Sequence, residues 1–444
     1  MPRAALKDPP TGGPRYRELY GPRELAQYEL LAEETYRLTP DSLSIERSIL
    51  LRNGEVSRTR LALSAEELLD QSEAGLAARF DKEFLRAAKW PRTGSRGKEI
   101  RVVDLFSGCG AMSLGIWEAS RATGARMVPV MALDSNETAL RVYEDNYPGV
   151  WAVSNPIQTL LDGTLGAAPS RAERELTERL GEVDIVVGGP PCQGHSNLNN
   201  HTRRSDPKNR LYDRMARLAE LVQPTHVIVE NVSAVLHDKG KVVDRTIAHL
   251  LALGYSIDDA VIEALAVGIP QRRRRHFVVA SRNRKPDLSS VVAGFARSER
   301  TVSWAIGDLS RAARDTVFDQ APIPSPANRE RIDYLFANKL YELPDEMRPD
   351  CHRLKAHSYN SVYGRLRPNA PAQTITSGFG SMGQGRYVHP TQRRTITPHE
   401  AARLQFIPDF FDFSSVSRRT ALAEMIGNAV PSKLAYVIGL DLLR

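Results

Sequence analysis

From Ile100 onward the apolar residues fall into short continuous runs: IRVVDLF (100–106), MVPVMALD (127–134), VDIVVGG (183–189), THVIVEN (225–231) and HFVVAS (276–281). Runs of this length predict buried strands, and the helix-length segments between them predict a parallel α/β sheet. Before residue 100 the rhythm differs. PRELAQYELLAEETYRL (Pro22–Leu38) predicts a helix with Pro22 in its first turn. SIERSILLR and EVSRTRLAL then flank Asn53-Gly54, the strongest short-range sign of a hairpin. Ser64 and Glu67 form a capping box ahead of a helix expected to run to about Trp90, and PRTGSRGKE (Pro91–Glu99) reads as a linker. Between Arg282 and Gly364 the alternation fades into a Pro-interrupted stretch of mixed charge, which predicts a separate smaller lobe. TPHEAARLQF and ALAEMIGNAVPSKLAYVIG predict a closing pair of helices. The expected organisation is therefore an N-terminal extension (1–98), an α/β domain made from 99–281 and 365–444, and a small lobe (282–364).

Composition places the chain among soluble globular proteins. It has 444 residues, 60 Lys+Arg against 53 Asp+Glu, a net charge of +7, 41% hydrophobic and 25% charged residues, enough for two or three domains. Nothing approaches 18 uninterrupted apolar residues, and the N-terminus MPRAALKDPPTGG has no apolar signal core, so a cytoplasmic protein is expected. Three cysteines, Cys109, Cys192 and Cys351, are too few and too scattered for a disulfide framework or a zinc cluster. The basic excess is uneven: residues 271–285 and 351–399 each hold seven Lys/Arg and no acid. Such blocks point to a polyanion, nucleic acid first, or to a solvated face. The extension, with 17 basic and 15 acidic residues, says little about a partner.

Two motifs carry candidate chemistry. DLFSGCGAMSLG (Asp104–Gly115) has a strand-loop-helix pattern, with Gly108 and Gly110 letting a ligand approach the backbone. Gly115 comes five residues after Gly110, which is not the dinucleotide-binding GxGxxG and suits an adenosyl cofactor better. Asp134 ends the second strand, where an acid accepts hydrogen bonds from ribose hydroxyls. GGPPCQGHS (Gly188–Ser196) follows a buried strand, so Cys192 falls at the carboxyl edge of the sheet, where ligands bind, on an approach stiffened by Pro190 and Pro191.

The ordered set DLFSGCG, GGPPCQGHS, VENV (Val229–Val232), QRRRR (Gln271–Arg275), QTIT (Gln373–Thr376) and GNAVP (Gly427–Pro431) resembles the cytosine-C5 DNA methyltransferases over roughly residues 100–281 and 365–444. The resemblance implies a Rossmann-like S-adenosylmethionine-dependent methyltransferase sheet, a small target-recognition lobe and an α/β N-terminal extension outside the family pattern. It implies Cys192 as nucleophile, Glu230 as the acid of the ENV motif, and Arg273 and Arg275 as the two arginines of Gln-x-Arg-x-Arg. Phe106, Gly108, Gly110, Asp134, Pro191, Leu211, Asn428 and Val430 match positions lining the S-adenosylmethionine site. It also implies a bacterial restriction-modification or phage-defence enzyme whose partner is double-stranded DNA. A protein partner through residues 1–98 is a further expectation, beside contact with flanking DNA or a stabilising cap.

The residue types suit that chemistry. Cytosine C5 becomes nucleophilic only after addition at C6, which a thiolate does well, while a protonated Glu230 and Arg275 would neutralise charge at N3 and O2. C5 and C6 are within reach only with the base out of its stack. Three features depart from the family pattern. Ser135 stands where a bulky apolar residue usually meets the adenine, Asn155 stands where an acid usually does, and the recognition lobe is short. Competing readings are an RNA (tRNA) methyltransferase on the same scaffold, a non-catalytic DNA-binding scaffold protein, and a NAD-dependent oxidoreductase, which the glycine spacing disfavours.

Overall fold

The computed structural model describes residues 18–19, 34–64, 70, 72–93, 97–191, 211–311, 315–353 and 362–444. In chain order, β1 (Glu18–Leu19) precedes a three-stranded antiparallel sheet of β2 (Glu34–Leu38), β3 (Ser44–Leu50) and β4 (Val56–Ala62), then α1 (Glu73–Arg86). Next come β5 (Glu99–Leu105), α2 (Ala111–Ala122), β6 (Arg126–Leu133), α3 (Glu137–Asn146), β7 (Trp151–Val153), α4 (Arg171–Leu180), β8 (Ile185–Gly188) and α5 (Tyr212–Val222). They are followed by β9 (His226–Val232), α6 (Val242–Ala252), β10 (Ser256–Glu263), β11 (Gln271–Arg272) and β12 (Arg274–Ser281). The chain closes with α7 (Leu288–Gly294), α8 (Val302–Ile306), α9 (Pro326–Ala337), α10 (Asp350–Arg353), β13 (Ala372–Gln373), α11 (Pro398–Leu404), α12 (Arg419–Asn428) and α13 (Ser432–Leu443).

The central sheet has the order β1-β10-β12-β9-β8-β5-β6-β7, with only β12 antiparallel to its neighbours. Strand order reverses between β5 and β8, which opens a crevice beyond their carboxyl ends. Alternate residues of each strand serve opposite faces. Val102, Ile185, Val187 and Ile228 enter one core with α2 and α13, while Val103, Val186, Val227 and Val229 enter the other with α4, α5 and α6. Both faces are covered, which is why these strands read as unbroken apolar runs.

The extension packs on the first face: Ile45, Ile49, Leu61, Leu76, Phe80, Phe84 and Leu85 are buried in the same core as α2 and α13. Leu288, Val291, Val292, Val302 and Ile306 of α7 and α8 belong to that core too. A separate small cluster of Ile332, Leu335, Leu343, Val362, Tyr363, Met382 and Val388 marks a second lobe.

The hairpin around Asn53-Gly54 forms as expected, with Glu46 opposite Arg60 and Gly54 at φ +84°. Glu34–Leu38, the end of the expected helix, is a strand, because pairing with β3 turns Glu34, Tyr36 and Leu38 inward. The rest of that stretch, 22–33, lies outside the described residues. Of the helix expected after Ser64, the described part is α1 from Glu73, capped by Ser72 Oγ on Gly75 N at 3.1 Å; its expected start, residues 65–69, lies outside the described residues. β10 is not among the apolar runs because Asp258 and Asp259 interrupt it. Their carboxylates are satisfied by Leu288 N at 2.7 Å and His276 Nε2 at 3.0 Å.

Candidate active site

Parallel strands deliver their following loops to one edge, and the glycine loop after β5 is the first of them. Phe106 and Gly108 adopt left-handed backbone, φ +58° and +53°, and Gly110 caps α2 at φ +91°. Ser107 N donates to Leu133 O at 3.0 Å, and Gly108 N donates to Asp134 Oδ2 at 2.8 Å, so the glycine loop and the acid after β6 are joined directly. Asp134 Oδ1 also accepts from Asn136 N at 2.9 Å. A carboxylate has about four lone-pair sites, so capacity for two ribose hydroxyls remains. Above Gly108 there is open space, and Ser107 Oγ is buried without a hydrogen-bond partner among the described residues. Open space above the Gly108 backbone, an unpartnered hydroxyl and an adjacent carboxylate fit an adenosyl group.

The other expected cofactor residues reach the same edge from separate elements. Ser135 and Asn155 are exposed after β6 and β7; Leu211 is half-buried ahead of α5; Pro191 is half-buried after β8. Asn428 is exposed at the end of α12, and Val430 is buried just before α13.

Glu230 and Arg275 meet across β9 and β12, Arg275 Nε lying 2.8 Å from Glu230 Oε1. Glu230 is buried and Arg275 half-buried. Burial raises the Glu230 carboxyl above its ordinary value against the opposing charges of Arg275, Arg273 and His276. Gly189 sits against this pair: a Cβ there would be 3.1 Å from Glu230 Oε2. The next residue on β9, Asn231, donates through Nδ2 to Pro190 O at 3.1 Å, tying the Pro-Pro turn to the strand that carries Glu230. Cys192 is covalently next to Pro191 and lies outside the described residues.

Arg273 is placed differently from Arg275. It is 1% exposed, and its guanidinium donates to Ile375 O at 2.8 Å, Gly427 O at 3.2 Å and Ala429 O at 2.9 Å. It thereby ties QTIT to GNAVP. Gln271 extends the tie, accepting from Ile375 N at 3.0 Å and donating to Leu404 O at 2.9 Å. Gly427 is required at this crossing, since a Cβ would stand 2.1 Å from Ser377 N.

Sequence reading misses what lies beneath the glycine loop. Asp104 accepts from Ser113 Oγ at 2.6 Å, Ser113 Oγ lies 2.8 Å from Tyr143 Oη, and Tyr147 Oη donates to Gly110 O at 3.0 Å. Burial, assisted by the charge of Asp134, pushes the Asp104 carboxyl up to about 7 against the Ser113 hydrogen bond. The signal is an acid inside an otherwise apolar strand, which no spacing rule connects to residues 143 and 147.

This sheet order, with a glycine loop and acid at the switch point, defines an α/β methyltransferase fold. Residues 100–444 match the profile of the C-5 cytosine-specific DNA methylases, and the chain belongs to that family. It is 45% identical over 405 residues to Type II methyltransferase M1.BsuMI of Bacillus subtilis (strain 168), covering 91% of this chain and 94% of that one. The 9% left out is fewer residues than the extension holds, so the similarity reaches into the extension. Type II methyltransferase M.DdeI of Desulfomicrobium norvegicum is 26% identical over 387 residues, covering 76% and 87% of the two chains. In three dimensions the fold is shared with a prophage-encoded DNA modification methyltransferase of E. coli, at TM-score 0.54 and 23% identity over 77% of this chain and 98% of that one. It is also shared with the Dnmt2 methyltransferase of S. pombe, at TM-score 0.52 and 17% identity over 78% and 98%. Among the described residues no helix is long and apolar enough to cross a membrane.

Proposed function

We propose that this chain is the modification enzyme of a bacterial restriction-modification or phage-defence system, acting in the cytoplasm on cytosine turned out of duplex DNA. The observation that carries this reading is the pairing of buried Glu230 with Arg275, held against Gly189 just before Pro190 and Pro191. Likeness to a Type II methyltransferase at 45% identity supports the biological setting. Cys192 Sγ, as thiolate, forms a bond to C6 of the base. Glu230, whose hold on a proton burial strengthens, gives or shares its proton at N3, and Arg275 faces O2, so the charge that addition places on the ring is met by both groups. When bound in the loop formed by Phe106–Gly110, Asp134 and Asn428–Val430, S-adenosylmethionine supplies an electrophilic methyl group. Transfer of the C5 proton to water, with Cys192 Sγ leaving C6 as thiolate, then restores the C5–C6 double bond.

Arg273 acts as a positioning residue, since both of its terminal nitrogens donate to backbone carbonyls. Ser135 and Asn155 fill the adenine-facing positions, where Asn155 still offers an acceptor. Bisulfite sequencing of DNA from cells expressing the protein, with tRNA and duplex DNA offered side by side in vitro, tests the reading. Methyl groups at C5 of cytosine in duplex DNA at a fixed short sequence are expected; methylation of tRNA alone, or of neither, contradicts it.

A further inference from the structure

The two loops assigned to S-adenosylmethionine each lead directly into a helix, Ser107–Gly110 into α2 and Asn428–Pro431 into α13. These helices are in backbone contact: a Cβ on Gly115 would stand 2.2 Å from Ser432 O, and one on Gly439 would stand 2.9 Å from Ile116 Cδ1. The distance between the two loops is therefore set by how α2 and α13 lie against each other. Against this helix pair the extension places a buried ionic network.

Arg47 on β3 is 2% exposed and reaches both helices at once. Its Nη2 is 2.8 Å from Glu118 Oε1 on α2, and its Nη1 donates to Tyr436 Oη on α13 at 3.0 Å. The guanidinium also stacks on Phe80 of α1 and donates from Nε to Thr59 Oγ1 at 3.0 Å, which fixes its direction. Tyr436 Oη in turn donates to Glu34 Oε1 at 2.7 Å, and Glu34 pairs with Arg297 at 2.8 Å. Asp81 on α1 pairs with Lys433 in the first turn of α13 and with Arg300. Burial alone would raise the Asp81 carboxyl, but Arg300 and Lys433 hold it below its ordinary value. Where α1, α2 and α13 meet there is a cavity of about 20 Å³ lined by Arg47, Asp81, Glu118 and Lys433 among others, room for about one water.

We propose that Arg47 and Asp81 of the extension are positioning residues for the cofactor site, holding α2 and α13 at the spacing that brings the glycine loop and the Asn428–Val430 loop onto one ligand. Fully buried charges that each reach another element cost desolvation, and a purely apolar cap would seal the same face at least as well. What ion pairs add is a fixed geometry, and displacements near 1 Å at a binding site weaken it severely. The inference rests on the assignment of those loops to the adenosyl cofactor.

The test is S-adenosylhomocysteine binding measured by titration calorimetry on the full chain, beside thermal midpoint, duplex DNA affinity, and KM and kcat for S-adenosylmethionine. Arg47→Met is expected to weaken S-adenosylhomocysteine by about tenfold or more, with DNA affinity within about twofold and the loss falling on KM rather than kcat. Arg47→Lys restores part of it, reaching one helix but not both. Asp81→Asn gives a smaller loss of the same kind. It also keeps the test open if Arg47→Met does not fold, because burial pulls the Lys433 amine down to about 7, so that it can shed its proton when its partner is neutralised. Folded variants that melt lower yet bind S-adenosylhomocysteine as wild type does overturn the inference and leave the extension a stabilising cap. Asp134→Ala separates the two levels. If it binds as wild type, or if wild type does not bind, the assignment of the loops fails and the inference falls with it.

Discussion

Glu230 is a carboxyl that burial raises and a neighbouring arginine opposes, and the sign of each effect makes its role measurable. Its proton persists above the ordinary carboxyl range, so kcat/KM is expected to fall as pH rises through the raised value. Glu230→Gln should lose about 10²-fold or more in kcat and abolish that limb of the pH–rate profile; a variant keeping both contradicts the assigned role. Asp104 has a folded value near 7, well above that of an unfolded chain. Its proton is bound in the folded state and lost in the unfolded one between about pH 4 and 7, so it draws stability down as pH rises through that window, by on the order of a few kcal/mol. Asp104→Asn should flatten the pH dependence of the thermal midpoint there, and an unchanged slope would show that the carboxyl is already ionised. At this scale the residue types proposed for the chemistry are legible in the sequence, and little of their partners is. Glu230 and Arg275 are 45 positions apart and meet only through the β9–β12 register, and nothing in QRRRR distinguishes the arginine that faces the carboxylate from the one spent on backbone carbonyls.

Elements were most legible where burial is two-sided. The five apolar runs are five strands of the sheet, because a strand covered on both faces has no polar positions to disguise it. β10 was not legible, since its two acids find partners only after folding, and Glu34–Leu38 reads as helix until β3 pairs with it. Two glycines have consequences for the elements they join. Gly110 starts α2 at φ +91°, with Tyr143 and Tyr147 2.8 Å from where a Cβ would be. Gly110→Ala is expected to cost roughly 1–3 kcal/mol and to weaken S-adenosylhomocysteine binding, read by denaturation and calorimetry together. Gly115→Ala pushes α2 off α13 and should cost about as much or more. Wild-type stability in both would mean that the helices yield without strain.

For the molecule as a whole, the extension and the basic blocks decide how the chain behaves as one body. Seven apolar side chains of the extension lie in the main core, worth on the order of 10 kcal/mol, comparable to the net stability of a domain. A chain starting at Lys98 is therefore expected to be unfolded or aggregated, and one that melts cooperatively near the wild-type midpoint would contradict this packing. Of the basic residues in 351–399, Arg394 is buried on Glu400 and Arg393 pairs with Asp333, so fewer are free for phosphate than the run suggests. The logarithm of duplex affinity should still fall with the logarithm of salt, by about 0.9 for each phosphate neutralised. The central claim is covalent methyl transfer through Cys192, and the most direct measurement is mass spectrometry after incubation with S-adenosylmethionine and duplex DNA carrying 5-fluorocytosine at the target position. Because fluorine cannot leave as a proton does, wild type is expected to remain bonded to the DNA through the peptide containing Cys192, and Cys192→Ala to give no adduct and no methylated product while still binding S-adenosylhomocysteine. An adduct at Cys109 or Cys351, or substantial turnover by Cys192→Ala, would contradict it.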